Sequence, residues 1–234
     1  MGGRWEVNTV RPEAVVFDMD GVIFDTEPVW LAAETELLDR RGLRFPPELA
    51  RKIMGVPGSA AMRIVAEELG LGEEPATLSR ELNGIFHALV EERLSVMDGL
   101  VERLDHLERL GLPKAVATST EGDLARKMLG RAGLLERFAF VLTRDDVQRG
   151  KPDPEIYRMA CGMHGVEPWR TVVVEDSVAG TQSAKSAGCR VVALRHELTR
   201  TLEFPDADLV VETHRDARVA SLLEQGAWTD GAGE

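Results

Sequence analysis

The chain has 234 residues, enough for a substantial core in one or two domains, and its apolar (44%) and charged (29%) fractions are ordinary for a soluble globular protein. Its 40 Asp plus Glu against 28 Lys plus Arg leave a net charge of -12, which argues against nucleic acid as the main partner, because a phosphate backbone demands a basic surface. No apolar run approaches the roughly eighteen residues of a membrane span, the first ten residues lack a signal-peptide core, and Cys161 and Cys189 have no CxxC spacing. A cytoplasmic chain with two buried thiols is expected, with no zinc site and no disulfide framework.

Residues 1–10 read as a loose tail. Ala14 to Phe17 then form an apolar, β-branched run that fits a strand buried on both faces. Asp18 and Asp20 follow where that strand gives out, and side chains two residues apart in extended backbone point the same way. Two like charges about 4 Å apart repel by roughly 1 kcal/mol in water and about 4 at an effective dielectric near 20. The pair therefore implies a cation, a shared proton or a chemical task, set against the plainer reading of a solvated Asp-Gly turn at Gly21.

Asp25, Thr26 and Pro28 carry helix-start signals, and Asp25 and Glu27 are read as first-turn residues. Trp30, Ala33, Leu37 and Leu38 share one helical face, and Gly42 ends that helix. Helical spacing continues to about Val96 through Leu49 and Ile53, then Met62, Val65 and Ala66, then Leu78, Leu82 and Ile85, with no strand in the block. After a helix from Leu100 to Leu110 the rhythm alternates. Strands are expected at Ala115 to Ala117, Ala139 to Leu142, Thr171 to Val174, Arg190 to Leu194 and Leu209 to Val211, with helices between them and a last helix from Arg218 to Glu224. Such alternation means a parallel sheet covered on both faces. The expected fold is α/β, a doubly wound parallel sheet with an inserted all-helical domain. Residues 11–27 and 97–226 form the discontinuous core, 28–96 the insert, and 1–10 and 227–234 the tails.

Open parallel sheets bind ligands at the carboxyl ends of their strands. The first strand offers Asp18 and Asp20 there. The second offers Thr118, Ser119 and Thr120 ahead of a helix start whose amides suit an anion. The third is followed by GKPDP, with Lys151 between Gly150 and Pro152, and the fourth ends in Glu175, Asp176 and Ser177. Each has a plainer alternative: Lys151 as a surface loop lysine, Thr118 and Ser119 as helix caps, Glu175 as a neighbour of metal ligands. The five histidines, His87 among them, are read as surface or core residues.

In this order and context the four motifs resemble those of the haloacid dehalogenase superfamily of aspartate-nucleophile phosphatases and mutases, with a helical cap after the first motif. The resemblance spans about Val15 to Val211. It implies that Asp18 is the nucleophile and that Asp20 is the general acid and later base, with its backbone carbonyl on the metal. It implies that Thr118 and the Ser119 amide hold phosphoryl oxygens, and that Lys151 neutralises charge between nucleophile and phosphate. Asp18, Asp20, Asp176 and Glu175 would form an all-oxygen site for Mg²⁺. The nearest look is that of β-phosphoglucomutase-like proteins, yet Trp30 stands where those mutases carry a hinge histidine and Gly58 where they hold an arginine. A Mg²⁺-dependent phosphatase of small phosphorylated metabolites, sugar or sugar-alcohol phosphates, is therefore the implied activity, in a monomer or weak homodimer. Trp30, Arg63 and the Met54–Ser59 loop are the implied cap contacts. The competing readings are a phosphosugar mutase, a phosphoglycolate phosphatase and a non-catalytic phospho-acceptor or phosphate-binding domain.

Overall fold

The computed structural model describes residues 10–226 apart from 54, 55, 57, 197 and 198. Of the expected tails 1–10 and 227–234 all but residue 10, and residues 54, 55 and 57 of the Met54–Ser59 loop, lie outside the described residues. In order the elements are β1 (Ala14–Phe17), β2 (Phe24–Asp25), α1 (Glu27–Asp39), α2 (Pro47–Ile53), α3 (Gly58–Leu69), α4 (Pro75–Arg93), β3 (Ser95–Val96) and α5 (Leu100–Arg109). There follow β4 (Lys114–Ala117), α6 (Gly122–Arg131), β5 (Val141–Leu142), α7 (Glu155–His164), β6 (Thr171–Glu175), α8 (Val178–Ala187), β7 (Arg190–Leu194), β8 (Leu209–Val211) and α9 (Ala217–Gln225). The chain divides into two units: Asp25–Ser95 is one, and the chain up to Phe24 and from Val96 is the other.

The second of these units is built on a six-stranded sheet in the order β5-β4-β1-β6-β7-β8, with every pairing parallel. Val16 pairs with Ala115 on one side and Val173 on the other. Every residue of β1, β4 and β6 is buried, the pattern of strands covered on both faces. From β1 the chain winds outward to β4 and β5, then crosses to β6 and winds the other way, so the winding reverses between β1 and β6. The loops leaving those two strands diverge, and the crevice this opens is where doubly wound sheets hold ligands.

Two details differ from the sequence reading. The outer strand β5 is Val141–Leu142, shorter than expected, because an edge strand has a partner on one side only; Ala139 N still donates to Lys114 O at 2.8 Å. The short strands β2 and β3 pair with each other and were not anticipated, since two residues are too few to show a period. Cys161 and Cys189 are both buried, with their sulfurs 3.6 Å apart.

The Asp25–Ser95 unit is helical. Helix α1 packs on α4, as does α3, and α1 buries Val29, Ala33, Leu37 and Leu38. Trp30 stacks on Phe86 with ring centroids 3.8 Å apart. Arg41, just past the end of α1, donates to Glu73 in the loop before α4 at 2.7 Å and to Glu81 on α4 at 2.7 Å. Burial pushes the Glu34 carboxyl from 4.5 up to about 7, and the charge of Glu27 adds to the shift. A raised acid holds in the fold a proton that the unfolded chain releases, so its penalty is absent below about pH 4.5 and complete above about pH 7. Glu34→Gln is therefore expected to match wild type in thermal melts near pH 4.5. At pH 8 it should exceed wild type by on the order of 2 kcal/mol, after allowance for solvent screening. Among the described residues no helix is long and apolar enough to cross a membrane.

Candidate active site

The turn after β1 is fixed by its own backbone. Asp18 N donates to Val174 O at 2.9 Å, which continues the pairing of β1 with β6 into the first site residue. Met19 O accepts from both Ile23 N and Phe24 N, and Gly21, at φ 71°, closes the loop. A Cβ on Gly21 would lie 2.0 Å from Asp176 Oδ2, so glycine serves both the left-handed turn and the close approach to the end of β6. His214 Nε2, 2.7 Å from Val22 O, donates to it and anchors the loop from the far side. Burial pushes that imidazole down to about 4, so it is a neutral donor at physiological pH.

Lys151 sits at the centre of the site with its side chain 6% exposed. Its ammonium has three protons and reaches three acceptors: Asp18 Oδ1 at 2.5 Å, Glu175 Oε1 at 2.6 Å and Ala117 O at 3.0 Å. Burial, the largest influence, lowers the lysine pKa, but the charges of Asp18 and Glu175 and the hydrogen bonds to them more than reverse it. Lys151 is held above its usual range and stays charged. Asp18 is pushed well above the ordinary carboxylate value, first by burial; Lys151 opposes the rise, while Glu175, Asp176 and Asp20 add to it.

Glu175 is fully buried. Its Oε1 accepts from Lys151 and from Tyr157 Oη at 2.7 Å, and its Oε2 accepts from Asp176 N, Ser177 N and Ser177 Oγ. Burial alone would raise its pKa, but Lys151, Tyr157 and the Ser177 amide outweigh that and hold it below the usual value. Ser177 in turn caps α8, accepting from Gly180 N at 2.9 Å. A Cβ on Gly180 would lie 1.8 Å from Glu175 Oε1, so the first turn of α8 leaves room only for this carboxylate.

The structure thus brings Asp18, Lys151, Glu175 and Asp176 together. Asp18, Glu175 and Asp176 each offer an oxygen, and these oxygens lie within 4.8 Å of one another. An all-carboxylate donor set of this kind fits a hard divalent cation. Asp20 lies at the rim and accepts from Thr120 Oγ1 at 2.7 Å. Thr118, one strand over from Asp18, is fully buried, and its Oγ1 accepts from Thr120 N at 3.0 Å; Ser119 is exposed beside it.

Three contacts at this site escaped sequence reasoning. Thr120 lies in the hydroxyl run after β4, where the sequence gives a task to Thr118 and Ser119 alone. Tyr157 is an apolar-face residue of α7, and nothing in the sequence says that its hydroxyl reaches β6. His196, read in the sequence as a surface or core residue, has its Nε2 3.1 Å from Asp176 Oδ2. Its signal in the sequence is its place just past Leu194, at the carboxyl end of β7.

A family model described as haloacid dehalogenase-like hydrolase matches residues 15–194. The chain is 35% identical over 187 residues to a phosphorylated carbohydrates phosphatase of Thermotoga maritima, covering 80% of this chain and 87% of that protein. It is 32% identical over 206 residues to hexitol phosphatase A of Escherichia coli, covering 87% and 92%. The crystal structure of a putative β-phosphoglucomutase from Thermotoga maritima superposes with a TM-score of 0.73 at 31% identity, over 90% of this chain and 96% of that one.

Proposed function

The chain belongs to the haloacid dehalogenase-like hydrolase family, and from that membership we propose that it hydrolyses phosphate monoesters of sugars or sugar alcohols through an aspartyl phosphate on Asp18. The observation that carries this reading is the bridge Lys151 makes between Asp18 at 2.5 Å and Glu175 at 2.6 Å, beside the point where the sheet reverses its winding. The relatives whose names specify phosphorylated carbohydrates and hexitols support the substrate class.

Asp18 attacks phosphorus, the bond from phosphorus to the sugar oxygen breaks, and the leaving oxygen takes a proton from Asp20. Thr120 orients that carboxyl through Oδ2. Asp20 then takes a proton from the water that opens the aspartyl phosphate, which frees inorganic phosphate and restores Asp18. Lys151 balances phosphoryl charge, while the Thr118 hydroxyl and the Ser119 amide hold phosphoryl oxygens. Asp18 and Asp176, with the backbone carbonyl of Asp20, would hold Mg²⁺. Once bound it offsets the charge that a phosphate dianion would otherwise meet among the carboxylates. Both oxygens of Glu175 already accept from Lys151, Tyr157 and the Asp176–Ser177 turn. We therefore assign Glu175 to holding Lys151 and that turn, outside direct ligation.

Trp30, stacked on Phe86, carries no titratable group at the position of the mutases' hinge histidine, which favours hydrolysis over phosphosugar mutation. A phospho-acceptor domain needs no proton shuttle, and Asp20 held by Thr120 fits one. The test is release of phosphate from p-nitrophenyl phosphate and from a panel of hexose and hexitol phosphates, with Mg²⁺ and with EDTA. Release that needs Mg²⁺, with β-glucose 1-phosphate hydrolysed and not isomerised, is the expected outcome. No release from any monoester would remove the phosphatase reading, and isomerisation would restore the mutase.

A further inference from the structure

We propose that His196 is a positioning residue that fixes the carboxylate of Asp176 for a divalent cation. The inference rests on the metal-dependent reading of the site and extends it to a residue from β7, a strand to which that reading assigns no task. Its Nε2 lies 3.1 Å from Asp176 Oδ2. An ionised carboxylate only accepts, so Nε2 carries the proton and donates it.

The backbone that carries the imidazole is held in turn. His196 N lies 3.0 Å from Thr199 Oγ1 and donates to it, and Thr199 is buried. On the opposite side the Gly21 turn closes in: a Cβ there would stand 2.0 Å from Asp176 Oδ2 and 3.2 Å from His196 Nε2. The turn after β1, the end of β6 and the loop after β7 therefore converge on one carboxylate. The contact to Oδ2 restrains the Asp176 carboxylate, one of whose oxygens lies within 4.8 Å of oxygens from Asp18 and Glu175. A carboxylate oriented before the cation arrives loses less freedom on binding it. Such outer partners typically change metal affinity by about 10- to 100-fold.

The test measures Mg²⁺ binding directly, by calorimetry and by the Mg²⁺-induced rise in melting temperature, for wild type, His196→Ala, His196→Leu and His196→Gln. Melts in EDTA check that each variant folds. His196→Leu keeps bulk without a donor, while His196→Gln returns an amide N–H at similar reach. The expected result is a Mg²⁺ dissociation constant about 10-fold weaker in the Ala and Leu variants, with His196→Gln within about three-fold of wild type. The Mg²⁺ concentration for half-maximal hydrolysis shifts by the same factor, and kcat at saturating Mg²⁺ stays near wild type. Wild-type affinity in both the Ala and Leu variants would overturn the role of His196 while leaving the function intact. A wild-type protein that binds no Mg²⁺ would overturn both.

Discussion

Asp18→Asn is expected to lose phosphatase activity by about 10⁴-fold or more, the scale of removing a nucleophile, and yet to melt above wild type in EDTA at neutral pH. The loss follows because an amide oxygen does not form a phosphoryl ester intermediate that water can open. The gain in stability follows from the charge balance around the residue. Burial opposes its ionisation most, Glu175, Asp176 and Asp20 add to that, and Lys151 offsets only part of it, so its folded pKa stands well above the ordinary 3.8. For an acid raised in the fold, the folded chain binds the proton more tightly than the unfolded one. Stability is therefore greatest below about pH 3.8 and falls as pH climbs through the raised value. Asparagine carries no such penalty, and its side-chain oxygen still accepts from Lys151. Melts in EDTA at pH 4 and pH 8 test the claim: the two proteins converge at the lower pH and separate at the higher. Adding Mg²⁺ should close the gap, because wild type binds the cation more tightly. A variant less stable than wild type in EDTA at pH 8 would show that Asp18 is not strained by its charge.

Lys151→Met is the second large effect, and it strikes activity and stability together. The ammonium satisfies Asp18, Glu175 and the Ala117 carbonyl at once, with its side chain 6% exposed. Removing one partner of a buried ionic group leaves the others unpaired, at about 3 to 5 kcal/mol. Activity should fall by about 10³-fold, the scale of losing a principal electrostatic stabiliser. Without the lysine, Asp18 and Glu175 repel each other unopposed, so Asp18 rises further and Glu175 loses the main influence that holds it below its usual value. The stability deficit is then largest at high pH and shrinks as pH falls and the acids protonate. Urea melts at pH 5 and pH 8 measure this. Lys151→Met combined with Glu175→Gln should recover much of the stability and none of the activity. Lys151→Arg is not expected to rescue either, because a planar fork does not match acceptors disposed around a compact ammonium. Equal deficits at both pH values would mean that the cost is one of packing and not of charge.

Much of this was legible before any coordinates. Val15, Val16, Val172 to Val174 and Val191 to Val192 are continuous β-branched runs, and only a strand covered on both faces accepts them all. Loops at the carboxyl ends of such strands must share one rim, so Asp18, Lys151 and Asp176 could be grouped from order alone. What order did not reveal is that Glu175 spends its oxygens on Tyr157, Lys151 and the Ser177 turn, that Thr120 holds Asp20, and that His196 meets Asp176.

By itself the sequence determined the parallel sheet, the helical insert and the chemical kinds of residue at the rim. Each of these follows from local rules: burial period, turn residues, and the direction in which a strand must leave its sheet. Only the tertiary structure decided which lone pairs those residues still have to offer. Hydrogen bonds between side chains a hundred or more residues apart, as from Lys151 to Asp18 and from Thr120 to Asp20, turn on shifts of well under 1 Å in register and rotamer. No local pattern encodes that precision, because it arises only when all the strands and helices have packed against one another.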